Sequence, residues 1–251
     1  MILSGKVVFV TGAAQGFGRQ IAIDCASDGA TVIASDLDSC DETIGLVTAL
    51  GGDGLSLSVD VTDYASCTRG VAAAMAKFGR VDALVNNAGL YGSLHLGPFE
   101  IIDGDEWDLC MKVNIKGAWH MARAVAPVMR KNGVGSIVNI ASTTALMGQA
   151  MMAHYATSKA GLIGLSRVLA SELGPDNIRV NAVCPGAMDT PGTRKVTGPH
   201  LAQMLESAPK ARFKAVLEPD EVSGTIKFLV SDASRLITGQ SIVVDGGVVT
   251  T

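Results

Sequence analysis

The chain has no excess of basic residues, few histidines and no paired cysteines, and each lack removes a class of function. Twenty Lys and Arg stand against 24 Asp and Glu, for a formal net charge of −4 at pH 7. A protein that neutralises nucleic-acid phosphates needs a basic surplus, so DNA and RNA are not expected partners. Four histidines, no two of them at ligand spacing, give no reason to expect a metal site. The five cysteines (Cys25, Cys40, Cys67, Cys110, Cys184) are odd in number, scattered and never in C-x-x-C spacing. That pattern suits small core residues in a reducing compartment, with no disulfide framework or zinc knuckle. No apolar run reaches the roughly 18 residues of a membrane span, and the start "MILSGKVVFVTG" has no charged region leading into a long apolar stretch. The expected location is therefore cytoplasmic, with no membrane partner. Pro-rich linkers, low-complexity tracts and short-period repeats are also missing. The 251 residues, 48% of them hydrophobic, are expected to form one domain (1–251) with a large core.

What is present is an alternation. Short apolar, β-branched runs at 6–11, 31–36, 55–61, 81–86, 135–141 and 178–184 read as buried parallel strands, and each is followed by a longer segment with helical spacing. In "RQIAIDCASDG" (19–29), for example, Ile21, Ala22, Cys25 and Ala26 share one face and Gly29 is a stop signal. With a last run at 241–247 the count is seven, which predicts an α/β fold: a doubly wound parallel sheet with helices on both faces. Residues 187–215, rich in turn formers and charge, interrupt the alternation and read as a substrate lid or an irregular excursion.

Several polar groups fall at the carboxyl ends of these strands, the edge at which open α/β sheets bind ligands. After the first strand comes "TGAAQGFG", with Gly12, Gly16 and Gly18 spaced G-x-x-x-G-x-G. Glycines there let a backbone approach a pyrophosphate at a helix N-terminus, although the spacing is not the G-x-G-x-x-G fingerprint and a packing turn is the alternative. Asp36 ends the second strand, 18 residues after Gly18. A carboxylate at that offset accepts hydrogen bonds from an adenosine ribose and repels a 2′-phosphate, and neighbouring Leu37 offers no cation, which favours NAD over NADP. Capping a turn is the other common use of Asp36, and Asp60 after the third strand carries the same ambiguity. "NNAG" (86–89) and "NIAS" (139–142) end the fourth and fifth strands. Tyr155 and Lys159 lie one helical turn apart on one face. Three Tyr and ten Lys in this length give about 0.12 such matches by chance, so the pair gains its weight from the other groups on the same rim.

Taken together, "TGAAQGFG", "NNAG", Ser142 followed by "HYATSK", and "CPGAMDT" resemble the short-chain dehydrogenase/reductase family over essentially the whole chain. The resemblance implies a Rossmann-type domain, metal-free hydride transfer with a nicotinamide cofactor, and a catalytic tetrad of Asn114, Ser142, Tyr155 and Lys159. It further implies NAD contacts from Gly12, Gln15, Gly16, Phe17, Gly18, Asp36, Leu37, Asp60, Val61, Asn87, Ala88, Gly89, Tyr155, Lys159, Pro185, Gly186, Met188 and Thr190. It also implies a homotetramer built through helices at 105–131 and 154–173. Departures from the family pattern are Phe17, where an aliphatic residue is usual, and Lys210 and Lys214 in the late "PKARFKAVLEPDEV".

In this reading Tyr155 is the acid/base, Ser142 binds the substrate oxygen, Lys159 holds the ribose and, with the nicotinamide cation of the oxidised cofactor, stabilises the phenolate, and Asn114 holds a proton-relay water. Phenol titrates near 10, so a base near pH 7 requires about 4 kcal/mol of help. Ser93, Thr144, Gln149 and Met152, with Met147 and Met151, are candidates for the substrate mouth, and Met188, Leu201, Met204 and Leu205 for an apolar lid. His154 reads as a bystander because helix neighbours point apart, Asp245 as a turn residue, and Arg212 as part of a solvated lid face. The leading expectation is an NAD-dependent enzyme interconverting a partly apolar secondary alcohol and its ketone. The alternatives are an NADPH-dependent 3-oxoacyl carrier-protein reductase and a non-catalytic nicotinamide-sensing protein.

Overall fold

The computed structural model describes residues 1–198, 212–213 and 216–250. Seven strands form one parallel sheet: β1 (Val7–Thr11), β2 (Thr31–Asp36), β3 (Gly54–Ser58), β4 (Ala83–Asn86), β5 (Gly135–Ile140), β6 (Ile178–Pro185) and β7 (Ser241–Val244). Their order is β3-β2-β1-β4-β5-β6-β7, with every pairing parallel. This is the doubly wound Rossmann-type sheet expected from the alternation. β1 and β5 are buried at every position, which is why they read as continuous apolar runs rather than alternating ones.

Side chains alternate across each strand, so β1 supplies both cores. Val8 and Val10 pack with Ile21 and Cys25 of α1 (Gly16–Ser27) and with Val222 and Ile226 of the last helix. Val7 and Phe9 pack on the opposite face with Cys67 and Val71 of α3 (Tyr64–Phe78) and Met121 and Val125 of α5 (Gly117–Asn132). The remaining helices are α2 (Asp41–Ala49), α4 (Gly104–Met111), the single turn α6 (Thr144–Met147), α7 (Ala153–Leu173), α8 (Pro191–Thr197) and α9 (Pro219–Val230). Asp63 starts α3 by accepting hydrogen bonds from the amides of Ala65 and Ser66, and Gly79 ends it in the left-handed conformation at φ 72°.

Several boundaries differ from the sequence reading: the fourth strand starts at Ala83 rather than at 81 and the seventh stops at Val244 rather than at 247. The third strand stops at Ser58 rather than at Val61, because Asp60 turns the chain by accepting the Thr62 amide at 2.8 Å. The single helix expected over 105–131 is broken by a π-helical turn, Lys112–Lys116, between α4 and α5. Of the residues expected in the lid, Leu201, Met204, Leu205, Lys210 and Lys214 lie outside the described residues. No helix among the described residues is long and apolar enough to cross a membrane.

All five cysteines are buried free thiols, as expected of core residues. Burial pushes Cys25 and Cys40 up to about 12, and Cys67 and Cys184 up to about 11. The native thiols hold their protons more tightly than the unfolded chain does, so unfolding releases protons between pH 9 and these values and stability falls as pH rises. Lys159, depressed by burial to about 8, has the opposite sign between pH 8 and its ordinary value, but it is one group against four. Thermal melts are expected to show a falling Tm from pH 8.5 to 11, and a Tm that holds constant or rises over that range would contradict the thiol linkage.

Candidate active site

The sheet order reverses between β1 and β4, and at the carboxyl ends of these strands lies a cavity of about 1030 Å³. Its walls come from the glycine turn after β1, the ends of β2 to β6, and the segments that follow them.

The glycine turn is stapled from behind. Asn87 donates from Nδ2 to the carbonyls of Thr11 (3.0 Å) and Gly12 (2.9 Å), and the Thr11 hydroxyl accepts the amides of Asn87 and Ala88. Gly12 has φ +66°, and a Cβ there would come within 2.7 Å of Ala88 Cα. A Cβ at Gly18 would collide with the Gly12 carbonyl. Cofactor turn and packing turn are therefore not alternatives: the same glycines pack two loops together and leave backbone facing the cavity. The first turn of α1 has neither a side-chain cap nor an acidic residue, so its amides face the cavity end without a side-chain partner. An uncapped helix N-terminus beside a glycine turn fits a pyrophosphate.

Asp36 borders the same cavity. Its Oδ2 accepts the Ala14 amide at 3.0 Å and its Oδ1 the Leu37 amide at 2.7 Å, which leaves each oxygen a lone pair. Arg19, the nearest cation in sequence, is held by both oxygens of Glu42 at 2.8 Å and by the Ala14 carbonyl. Asp38, which the sequence reading overlooked, adds a second carboxylate to this wall. Its signal was the acid two places beyond Asp36. Asp60 and Val61 line the cavity next to it, with Asp60 also serving its turn.

At the other end stand Ser142, Tyr155 and Lys159. Ser142 follows β5, is buried, and its Oγ accepts the Thr144 amide at 3.2 Å. Lys159 is buried one turn along α7 from Tyr155, with Nζ donating to the Ile140 carbonyl at 2.7 Å and lying 5.6 Å from the Tyr155 ring centroid. Sequence reasoning expects this cation to lower the phenol pKa. Among the protein's own groups the balance goes the other way: burial, then the neighbouring Tyr91, push Tyr155 above its ordinary value, and a hydrogen bond with Ser142 opposes them. Burial also draws Lys159 down to about 8.

Asn114 does not line the cavity. It sits in the π-helical turn behind it, accepting the Leu90 amide on Oδ1 at 2.6 Å and donating from Nδ2 to Ser158 Oγ at 2.9 Å. Ser158 in turn donates to the Tyr155 carbonyl at 2.7 Å. One amide thus joins the loop after β4 to the start of α7. A π-turn at a functional site is common, and no apolar periodicity announces it.

Of the other expected residues, Gln15, Gly16, Phe17, Leu37, Gly89, Pro185, Gly186, Met188 and Thr190 border the cavity on one side, and Ser93, Thr144, Met147, Gln149 and Met152 on the other, whereas Met151 does not line it and is exposed. The Thr144 hydroxyl is buried without a hydrogen-bond partner. Tyr91, also overlooked, lines the cavity with its ring centroid 4.8 Å from that of Tyr155. Its position five residues past β4 carried no motif. Asn86 and Asn139 point elsewhere, bonded to each other at 2.8 Å and on to Ser166. His154 is fully buried and faces Glu106 (3.3 Å) rather than the cavity, which agrees with the bystander reading. Asp245 holds a turn by accepting three amides, and Arg212 is exposed. No cluster of potential metal ligands occurs among the described residues.

Comparison with known proteins agrees with this geometry. The family model described as enoyl-(acyl carrier protein) reductase matches residues 12–249. A 3-oxoacyl-[acyl-carrier-protein] reductase of Thermotoga maritima is 39% identical over 99% of this chain and 100% of its own. A D-threitol dehydrogenase of Mycolicibacterium smegmatis is 38% identical over 98% of this chain and 93% of its own. Among solved structures, a short-chain dehydrogenase of Mycobacterium paratuberculosis bound to NAD superposes with TM-score 0.89 at 33% identity, covering 99% of both chains. Levodione reductase superposes with TM-score 0.91 at 30% identity, covering 97% of both. With its seven-stranded parallel sheet and its glycine turn facing a serine, tyrosine and lysine across one cavity, the chain belongs to the short-chain dehydrogenase/reductase family of oxidoreductases that act on alcohol and ketone groups.

Proposed function

We propose that the protein is an NAD-dependent oxidoreductase interconverting a partly apolar secondary alcohol and its ketone. The observation that carries this reading is the placement of Ser142, Tyr155 and Lys159 on the wall of the cavity that also holds Asp36 and the uncapped α1 N-terminus. A bound nicotinamide dinucleotide would supply the hydride acceptor or donor. The glycine turn and the α1 amides would hold its pyrophosphate, and Asp36 its adenosine ribose.

The chain's own groups then manage the oxygen and its proton. Ser142 Oγ hydrogen-bonds the substrate oxygen, and Tyr155 Oη gives a proton to that oxygen in reduction or takes it in oxidation. The raised phenol rests protonated, ready to donate. Withdrawal of its proton is assisted by the Ser142 hydrogen bond, and Lys159, one turn along the helix, carries its charge below about pH 8. Lys159 is fixed in place by the Ile140 carbonyl, and Asn114 fixes the helix that carries both residues. Met147 and Met152 give the substrate side an apolar lining, where burying about 100 Å² of substrate is worth roughly 2.5 kcal/mol.

A second reading, an NADPH-dependent 3-oxoacyl carrier-protein reductase, draws support from the full-length similarity to the Thermotoga maritima protein. Asp36 and Asp38 speak against it, since two carboxylates face the ribose end and Arg19 is already engaged by Glu42. The similarity to an NAD-bound structure supports the first reading. Small residues and exposed Trp119 and Val168 on α5 and α7 support a homotetramer formed through these helices.

Three measurements test these assignments. Ribose contact plus phosphate repulsion is worth about 2–4 kcal/mol, so kcat/KM with NAD is expected to exceed that with NADP by roughly thirty- to several-hundredfold; Asp36→Ala with Leu37→Arg should shift the ratio toward NADP. Parity in the unsubstituted protein would remove the cofactor assignment. Tyr155→Phe is expected to keep fold and cofactor affinity while cutting turnover by about 10²- to 10⁴-fold, and near-normal turnover would disprove its acid/base role. Light scattering at micromolar concentration is expected to give four times the 25.8 kDa chain mass, and a monomer mass would refute the assembly.

A further inference from the structure

The cavity holds a second phenol that the chemistry above does not use. Tyr91 lies in the loop after β4, half-buried, and its ring meets that of Tyr155 at a centroid distance of 4.8 Å and an interplanar angle of 45°. The two phenols are close enough that the charge of one raises the pKa of the other. Tyr91 itself is raised by burial alone, with no hydrogen bond contributing. Its hydroxyl has no hydrogen-bond partner among the described residues, yet the residue borders the cavity. A half-buried phenol without a partner gains from any polar group brought to it, and its ring meanwhile offers an apolar face.

The position of Tyr91 is set by the catalytic network rather than by loop flexibility. Asn114 holds both the amide and the carbonyl of Leu90, at 2.6 and 3.3 Å, and reaches Tyr155 through Ser158. Leu94 N donates to the Tyr91 carbonyl at 3.0 Å and closes the turn on the other side. The two phenols are thus held at fixed spacing by one amide, as a recognition pair must be if it is to discriminate.

We infer that Tyr91 is a specificity-determining residue whose hydroxyl binds a second oxygen of the substrate, on the carbon adjacent to the reacting one or one further along, while Tyr155 takes the reacting oxygen. The preferred substrates are then secondary alcohols or ketones bearing a neighbouring hydroxyl or carbonyl, with an apolar body against the Tyr91 ring and the methionines. This assignment rests on the oxidoreductase reading and narrows its substrate class.

The test compares matched substrates: cyclohexanol against vicinal cyclohexanediol in oxidation, and cyclohexanone against its α-hydroxy derivative in reduction. In the unsubstituted protein kcat/KM should favour the dioxygenated member of each pair by about tenfold or more, since a site that hydrogen-bonds a substrate hydroxyl rejects the analogue lacking it. Tyr91→Phe keeps the ring and its contact with Tyr155 but removes the hydroxyl, and should shrink that preference about tenfold, chiefly through KM. Tyr155→Phe should instead depress turnover of both members alike. A preference absent in the unsubstituted protein, or one unchanged in Tyr91→Phe, overturns the assignment while leaving the oxidoreductase reading in place. Turnover of some other alcohol or ketone but of neither pair overturns it as well. If no alcohol or ketone is turned over at all, the oxidoreductase reading itself fails and this assignment falls with it.

Discussion

The side chain of Asn114 makes the contacts on which the geometry of the rest of the site depends. Its oxygen takes the Leu90 amide and its nitrogen the Ser158 hydroxyl, so the loop after β4 and the first turn of α7 are set against each other by one buried amide. An amide can do this because it donates and accepts at once without carrying charge into the interior. A carboxylate would accept from Leu90 but leave Ser158 without its donor, and would place a negative charge near Lys159. The π-helical turn is the local cost of the arrangement. It departs from regular α-helical bonding between α4 and α5 at the point where Asn114 reaches across to both segments.

Burial moves the two titratable groups of the site, Tyr155 and Lys159, in opposite directions. The enclosure that would keep water from a developing alkoxide also raises the Tyr155 phenol and lowers Lys159 to about 8. These shifts bring the two groups' proton affinities out of their usual order of separation from neutrality: the amine approaches the physiological range and the phenol moves away from it. Lys159 is therefore a tunable charge rather than a permanent one. Its hydrogen bond to the Ile140 carbonyl fixes its position whether or not it is protonated, since an amine and an ammonium can both donate.

Much of this was legible in the sequence, for identifiable reasons. The central strands could be placed because a parallel sheet covered on both faces demands continuous apolar runs, which β1 and β5 obey without exception, whereas β3 and β7 at the edges are only partly buried. The convergence of the glycines at 12, 16 and 18, the acid at a strand end and the asparagine turn on one cavity could be read because that wall is mostly backbone. Backbone recognition leaves a spacing behind. Tyr91 leaves none, because nothing in a loop of this length fixes which side chain reaches the cavity until Asn114 fixes the loop. The π-turn escaped for a related reason, since one extra residue in a helix barely disturbs apolar periodicity. The upward push that the protein's own groups exert on Tyr155 was not legible, because spacing does not reveal depth of burial.

The division between backbone and side-chain recognition also bears on how one fold serves different substrates. Segments on the substrate side leave directly from residues on the fixed side: Tyr91 and Ser93 follow Gly89, and Thr144 and Gln149 follow Ser142, while on the opposite wall Met188 follows Gly186. The first residues are held by packing and by backbone contacts, such as the Thr144 amide on Ser142, that do not depend on the identity of the side chains that follow. Gly186 sits against Asp245, for instance, where a Cβ would approach within 2.8 Å, and Ser142 is anchored at the end of β5. Substitutions a few positions downstream can therefore change the shape and polarity of the substrate pocket without moving the hydride and proton chemistry. Relatives of 39% and 38% identity, one named for a carrier-protein-bound ketone and the other for a small polyol, are what such an arrangement permits. It follows that overall identity is a weak guide to substrate in this protein, and that the side chains lining the cavity at 91, 93, 144 and 149, rather than the motifs that reveal the family, are the positions at which selectivity is to be sought.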